Sequence, residues 1–332
     1  MFLVRRSRVR RRATAAVAVL VAVPLVLGTP DASARHKPRP KLGRTVVVAP
    51  AGGTVRVKAK GARRFQHLRR TRAVRLGSRI DATRGKVRVI AARGSGTDTG
   101  YFSKGGFVVT QPKATPRYVE LKLVGGDPGA CARAQRAGAH AAASPRVIRR
   151  LRGRAHGRFR TVGRNSAATV RGTTWLTEDR CDGTVVTSEE GTVDTTTQLG
   201  PQNFQLAPGQ SLVGYCVGVG TPGLTCVVEL SDPAKLTYLF AIGTVRAVSQ
   251  YQVCAISPAG VPDCGVFPLP DDNGDGIRTA GVGCVYSGSQ DGVGVYSAEW
   301  TLDDGTVFGP LFFSAPLAGP NTTEQCVAAT GG

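Results

Sequence analysis

The sequence contains no G-x-S-x-G elbow, no H-E-x-x-H pair and no glycine-rich phosphate loop, which removes the usual signatures of serine hydrolases, zinc proteases and nucleotide-binding enzymes. Histidine is scarce. The 4 histidines (His36, His67, His140 and His156) all precede residue 157, leaving the second half without an imidazole for acid–base work. No two cysteines form the close C-x2-4-C pair that structural zinc wants. Past residue 27 no apolar run approaches the roughly 20 residues that cross a bilayer. The closing AATGG offers neither a lipidation motif nor a hydrophobic sorting tail. Charge of one sign is missing from each half. From Arg35 to Arg180 there are 6 acidic residues against 35 lysines and arginines, and from Cys181 to Gly332 there are 3 basic residues against 15 acidic ones.

What is present begins at the N-terminus. Six arginines (Arg5, Arg6, Arg8, Arg10, Arg11 and Arg12) precede a 13-residue apolar run from Ala15 to Leu27, and Ala32-Ser33-Ala34 follows. This is the pattern of a secretory signal peptide over residues 1–34, cleaved after Ala34. Pro24 and the shortness of the run argue against a membrane anchor, and Arg8 stands where a twin-arginine signal wants a hydrophobic residue. The mature chain is then expected to be secreted, extracellular or associated with the cell envelope. Eight cysteines, none before Cys131, suit an oxidising compartment. Cys216 and Cys226 are spaced like Cys254 and Cys264, each pair enclosing a Gly/Pro turn, so two hairpin staples are expected. The pairing 131–181, 216–226, 254–264 and 284–326 is one of 105 arrangements open to eight cysteines.

The net charge of +22 belongs almost wholly to the first half. A positive field of that size concentrates anionic polymers. For an exported chain these are wall phosphates, acidic glycans or anionic lipid heads, while nucleic acid ranks low because no base-reading motif is present. Arginine outnumbers lysine 35 to 9, which a GC-rich genome would also produce. Opposite charge on the two halves also permits them to dock on each other.

Residues 35–44 (RHKPRPKLGR) are basic and Pro-rich, a disordered linker by composition. From Thr45 the pattern is period-2 and β-branched: TVVVA, GTVRVKA, GKVRVIAA, GFVVTQ and YVELKLV. These are strands of an antiparallel β domain, with tight turns expected at Gly77 to Asp81 and at Arg84-Gly85-Lys86. The succession GTVRVKAKG, VRLGSRIDATRGKVRVIAA and YFSKGGFVVTQ resembles the FecR-type, ferric-citrate-sensor-like β domain. The later block GRFRTVGRNSAATVRGTTWLTEDRCDGT, the strand pair GTVVTSEEGTVD and then FQLAPGQSLVG extend that resemblance to residues 45–214. It implies a β fold of the kind found in secreted, largely uncharacterised proteins of high-GC Gram-positive bacteria. Better-known members relay a signal through a membrane-anchored protein to a sigma factor. The resemblance transfers no catalytic residue.

Residues 129–152 read as a helical excursion between strands, rich in alanine and arginine, broken at Ser144-Pro145 and tied down by Cys131. In the stretch from Gly157 to Thr184, Phe159, Val162, Val170 and Trp175 are expected to face a core. Arg158, Arg160, Arg164 and Arg171 would line the wet face, where guanidinium groups suit bidentate contact with phosphate or carboxylate. The same alternation is also simply the solvent side of a half-buried sheet.

From Tyr215 to Gly332 the chain is acidic, Gly-rich and cysteine-rich. Eight strand-like segments, VGYCVGVG, LTCVVEL, LTYLFAIG, YQVCAIS, DCGVFPL, VGCVYSG, GVYSAEWTL and TVFGPLFF, predict a disulfide-stapled β-sandwich or jelly roll. Asp271, Asn273, Asp275 and the carbonyl of Ile277 have the spacing of a calcium loop, but Val282 stands where a bidentate glutamate belongs. A solvent-exposed Asx turn has the same sequence. Glu229, Asp232, Glu299, Asp303 and Asp304 could supply the paired carboxylates of a carbohydrate-active enzyme, a chemistry that needs them about 5 to 9.5 Å apart. We expect a non-catalytic protein that binds an anionic cell-wall polymer, a surface glycan or a protein partner; an extracytoplasmic sensor acting through a membrane partner is the alternative.

Overall fold

Alternating residues form strands almost throughout the computed structural model, which describes residues 38–112, 118–127, 129–136, 146–198, 203–218, 224–232, 237–272, 274–285, 294–315 and 325–328. The predicted signal peptide lies outside the described residues. In the first half the strands are β1 (Thr45–Lys58), β2 (Gln66–His67), β3 (Arg72–Arg75), β4 (Arg79–Ala92), β5 (Thr97–Ser103), β6 (Gly106–Thr110) and β7 (Val119–Val124). A helix, α1 (Gly129–Arg136), precedes β8 (Val147–His156), β9 (Phe159–Val162), β10 (Ser166–Val170), β11 (Thr173–Arg180), β12 (Thr184–Glu190), β13 (Val193–Thr197) and β14 (Asn203–Leu206). The remainder comprises β15 (Ser211–Val217), β16 (Thr225–Asp232), β17 (Thr237–Thr244), β18 (Gln250–Ile256), β19 (Pro262–Pro268), β20 (Arg278–Val285), β21 (Gly294–Leu302), β22 (Val307–Ala315) and β23 (Gln325–Ala328). The chain is mainly β with one short helix among the described residues, and no helix there is long and apolar enough to cross a membrane.

β4 organises the layers. Its C-terminal half pairs with β5 and its first three residues pair with β6, so two sheet arms diverge from it. The first arm continues through β8, β11, β12, β15, β16, β17, β20 and β23. The second runs through β7, β9, β10, β13 and β14, with β7 and β9 parallel. The facing apolar sides enclose one core: Phe102, Leu151, Trp175 and Val186 from the first arm meet Phe107, Leu121, Phe159 and Val170 from the second. On the other face of the first arm lies a separate four-stranded sheet, β19-β18-β21-β22. There Val185, Val213, Val227 and Phe240 meet Tyr251, Tyr296, Trp300 and Phe313 in a second core. Strands β15 and β16 are therefore buried on both faces, Leu212 and Val228 toward one core and Val213 and Val227 toward the other.

All eight strand-like segments predicted after Tyr215 are strands, and they build the β-sandwich-like part of the molecule. The expected boundary between residues 214 and 215, however, falls inside β15. The ladder from β12 through β15 to β16 is continuous, and residues 38–332 form one compact unit. Three disulfides are described in full: Cys131–Cys181, Cys216–Cys226 and Cys254–Cys264. Cys284 is also disulfide-bonded, and Cys326 is its register partner across β20 and β23. Disulfides of this number belong to a protein that folds in an oxidising environment.

Three local expectations need correction. Arg84-Gly85-Lys86 is not a turn but the middle of β4, where a Cβ on Gly85 would lie 2.7 Å from the carbonyl oxygens of Gly52 and Thr54. Glycine is required there because β1 carries a bulge between Pro50 and Gly52 that presses the two backbones together. The basic segment from Val147 onward is strand β8 rather than helix. Pairing with β5 on one side and β11 on the other supplies its hydrogen bonds, and its alternation puts Leu151 and Ala155 into the first core. Among the described residues helix is confined to α1, which the Cys131–Cys181 bond ties to the end of β11. The end of the expected linker is ordered as well: Lys41 to Arg44 form a hydrogen-bonded turn, and Gly43 N–H donates to Gln111 Oε1 at 3.0 Å.

Candidate anion-binding face

The four arginines singled out in sequence do not gather in one place. On the hairpin of β9 and β10, Phe159 pairs with Val170, so Arg158 and Arg171 flank one end of the hairpin and Arg164 sits at the turn of the other. Arg160 between them donates from Nη2 to Thr196 Oγ1 at 3.0 Å. Arg164 is committed to structure. Its backbone N–H donates to Asp179 Oδ1 at 2.8 Å, and its guanidinium donates to the Arg180 carbonyl at 2.9 Å. Asp179 is buried and also accepts from Thr184 Oγ1 at 2.6 Å and Arg149 Nε at 2.5 Å. Three donors converging on one buried carboxylate fix this corner of the sheet. Of the predicted core residues, Phe159, Val170 and Trp175 are buried, whereas Val162 is half-buried.

Basic residues converge instead on the outer face of β4, β5 and β8. The register sets them in rows across three strands: Lys86, Ser103 and Arg152; Arg88, Tyr101 and Arg154; Ile90, Thr99 and His156. The inward partners Val87, Val89, Phe102, Leu151 and Ala155 are in the first core, so alternation forces the cations outward. Within a row the two cations are separated by a β5 residue, about two strand spacings or 9.6 Å apart. At that distance in water two like charges repel by about 0.4 kcal/mol, a cost small enough that not every cation of the face needs an acidic partner. Adjacent strands would bring them close enough to be destabilising.

The face forms a shallow trough of about 580 Å³ lined by Lys86, Tyr101, Arg152, Arg154 and His156, with Glu190 its one carboxylate. Arg152 Nη2 lies 2.5 Å from Glu189, and this contact raises the guanidinium pKa; Arg150 lies 3.4 Å from Glu178. Lys86, Arg88 and Arg154 make no ion pair with any described residue. Tyr101 stands exposed among them. The four-stranded sheet sits on this same side of the first arm but further along, over β12, β15, β16 and β17, as the inward side chain of Val185 shares the outer face of β11 and β12 with Glu178. It does not cover the trough. Among the described residues two ion pairs, Arg152–Glu189 and Arg180–Asp182, join the basic stretch before residue 181 to the acidic stretch after it, and the others lie within one stretch, so docking of the two takes up only a small part of the charge split.

No family model, curated protein or solved structure matches this chain. The site therefore rests on its geometry. The remaining candidates are placed as follows. Asp271 Oδ2 accepts from Gly276 N–H at 3.2 Å and Asp275 Oδ1 from Ile277 N–H at 2.8 Å, while Asn273 lies outside the described residues. No three metal-ligating acidic, histidine or cysteine side chains meet among the described residues. Because both aspartates already serve backbone N–H groups, the melting midpoint is expected to be the same in excess chelator and in millimolar calcium; a rise of several degrees with calcium would instead place a cation in the loop. The five acids considered for sugar chemistry do not converge on either cleft. Glu229 is inside the second core, Asp232 accepts from Gln210, and Glu299 is half-buried on β21. Asp303 accepts Ser249 N–H at 2.7 Å, and Asp304 is held by Thr306 and by Arg246 at 2.5 Å, contacts that keep both carboxyls below their ordinary range.

The sequence signal for the trough was present in KVRVI and RLRGRAH, where cations alternate with apolar residues. What it lacked was the pairing of β5 between the two segments, which lie more than 60 residues apart.

Proposed function

We propose that the mature chain is a secreted, non-catalytic protein of the cell envelope or extracellular space that holds an anionic surface polymer in the trough on β4, β5 and β8. One observation carries the reading: three cations with no acidic partner among the described residues, Lys86, Arg88 and Arg154, stand in register around an exposed tyrosine. Lys86 and Arg88 on β4, and Arg152 and Arg154 on β8, stand two residues apart along their strands, about 6.7 Å. That repeat favours a chain of closely spaced phosphates or carboxylates over an isolated anion. Tyr101 offers an apolar ring to the polymer backbone with a hydroxyl at its tip. The FecR-type resemblance of residues 45–214 is part of this reading, with the domain acting as the binding scaffold.

The test is retention on purified cell wall and on a soluble polyanion across a salt series. Exposed charges are screened within about 8 Å at physiological ionic strength, so binding should weaken steeply as salt rises. Lys86→Ala, Arg88→Ala and Arg154→Ala combined should cost at least tenfold in affinity, and more at low salt. Salt-insensitive binding, or a triple variant that binds like the parent, would remove the trough as the site.

A protein partner is the second reading, and a different surface favours it. Val266 and Val307 are 62% and 58% exposed and occupy one cross-strand row, Val266, Gln252, Thr301 and Val307, on the small acidic sheet.

A further inference from the structure

Beyond the end of the trough at Ser103 and Arg152 the chain turns a corner, and a second concavity opens. This cleft of about 450 Å³ lies where the two sheet arms separate, lined by Arg56, Phe65, Arg79, Asp81, Lys104 and Arg150 among others. We propose that it is a distinct site for a phosphomonoester.

The charges in the cleft are unequal in kind. Arg56 is bound to Asp81, with Nη2 at 2.5 Å; Arg149 is bound to Asp179 and Arg150 to Glu178. These cations are neutralised by the fold itself. Asp81 is also held below the ordinary carboxylate range by its hydrogen bonds from Thr83 and Arg56, so it stays an anion for Arg56 and brings no proton to a ligand. Arg79 and Lys104 are left over, with no acidic partner among the described residues.

Each of the two is positioned without being neutralised. The Arg79 guanidinium carbon lies 5.7 Å from the centre of the Phe65 ring, which Arg56 also approaches at 5.5 Å. A ring face fixes a guanidinium while leaving its in-plane N–H groups free for a bidentate acceptor. Gly125 gives it room, because a Cβ there would lie 3.3 Å from Arg79 Nη2. Lys104 has φ of 68°, the one positive value at a non-glycine residue among the described residues. Glycine or asparagine is at ease in that conformation and lysine is not. The corner therefore places a lysine in the lining of the cleft at a small backbone cost.

Two uncompensated cations match the double charge of a phosphomonoester better than the single charge of a carboxylate or of an internal phosphodiester. The ligand is thus chemically different from the repeating units of the trough. It has two sources, the phosphorylated end of the same polymer or a free sugar or polyol phosphate. The cleft stands on its own residues, although its place beside the trough rests on the polymer-binding reading.

The experiment titrates inorganic phosphate and glycerol phosphate into the full mature chain by calorimetry. Saturable binding is expected, weakened at least tenfold by Arg79→Ala and by Lys104→Gly, a substitution that relieves the backbone and so keeps the fold. The Lys86, Arg88 and Arg154 triple variant should leave phosphate binding unchanged while losing polymer. Absence of phosphate binding, or equal binding by parent, Arg79→Ala and Lys104→Gly, overturns the cleft and leaves the trough standing. Polymer binding that survives in the triple variant overturns the trough and leaves the cleft standing. Loss of polymer affinity after phosphatase treatment would assign the cleft to the polymer end; retained affinity would assign it to a free monoester.

Discussion

Glu229→Gln should make the protein markedly more stable at pH 8 and little different at pH 4. Glu229 is fully buried on β16, on the face that meets the small sheet. Ser231 Oγ donates to Oε1 at 2.6 Å, and Oε2 has no partner. Desolvation pushes the carboxyl from 4.5 up to about 8, with the nearby Asp182 adding to the rise and the Ser231 hydrogen bond and the Arg180 charge opposing it. Arg180 is occupied elsewhere, donating to Asp182 at 2.5 Å and to the Phe312 carbonyl at 3.0 Å, which joins β11 to β22.

The sign follows from proton counts. Below 4.5 the carboxyl is protonated in both folded and unfolded chains and has no effect on the pH dependence. Between 4.5 and about 8 the unfolded chain releases the proton while the folded chain keeps it, so stability falls as pH rises. Above about 8 both states are ionised and the loss is complete. At about 1.4 kcal/mol per unit the full loss is on the order of 5 kcal/mol. Glutamine removes it, which for a chain of this size is a melting shift on the order of 10 °C at pH 8. Parallel stability profiles for parent and variant from pH 4 to 9 would show that Glu229 has another way of shedding its charge.

Trp175→Ala is expected to cost about 3–5 kcal/mol of unfolding free energy, the range for deleting a fully buried aromatic. Trp175 is at 0% exposure in the centre of the first core, edge-on to Phe102 at 6.1 Å. Its Nε1–H donates to Thr161 Oγ1 at 2.9 Å, and Thr161 in turn lies 2.6 Å from Thr177 Oγ1. The indole lies over Gly153, its register partner on β8, where a Cβ would stand 2.6 Å from the ring. Gly153→Ala should therefore be destabilising in the parent and much milder in a Trp175→Leu background. Denaturant melts of the four proteins in a double-mutant cycle measure this coupling. Additive effects would mean that the ring and the glycine do not constrain each other.

These two residues show where reading the chain alone runs out. Trp175 was legible as a core residue because period-2 alternation in TTWLTED assigns it to the apolar side of a strand. Gly153 was not: in RLRGRAH it reads as a break in a basic segment, and only the indole across the ladder explains it. The same limit misassigned Val147 to Arg152 as helix. Alanine and arginine favour helix locally, but sheet neighbours on both sides override that preference. Glu229 was considered as one of the acids that could form a catalytic carboxylate pair. Nothing local in LTCVVELSD distinguishes a glutamate facing solvent from one sealed between two sheets, because β16 is covered on both faces.

Strand content, the eight strands after Tyr215, the disulfide-compatible cysteine spacing and the division of charge were all determined by the sequence, since each depends on periodicity or on composition. Tertiary structure alone decided which sheet each strand joined, that residue 214 is no boundary, and where the cations assemble. Arg158, Arg160, Arg164 and Arg171 are neighbours in the chain but are dispersed by the β9–β10 hairpin, while Arg88 and Arg154 are brought into one row by β5. Side-chain alternation tells which face a residue takes, and only the register between distant strands tells which residues share it.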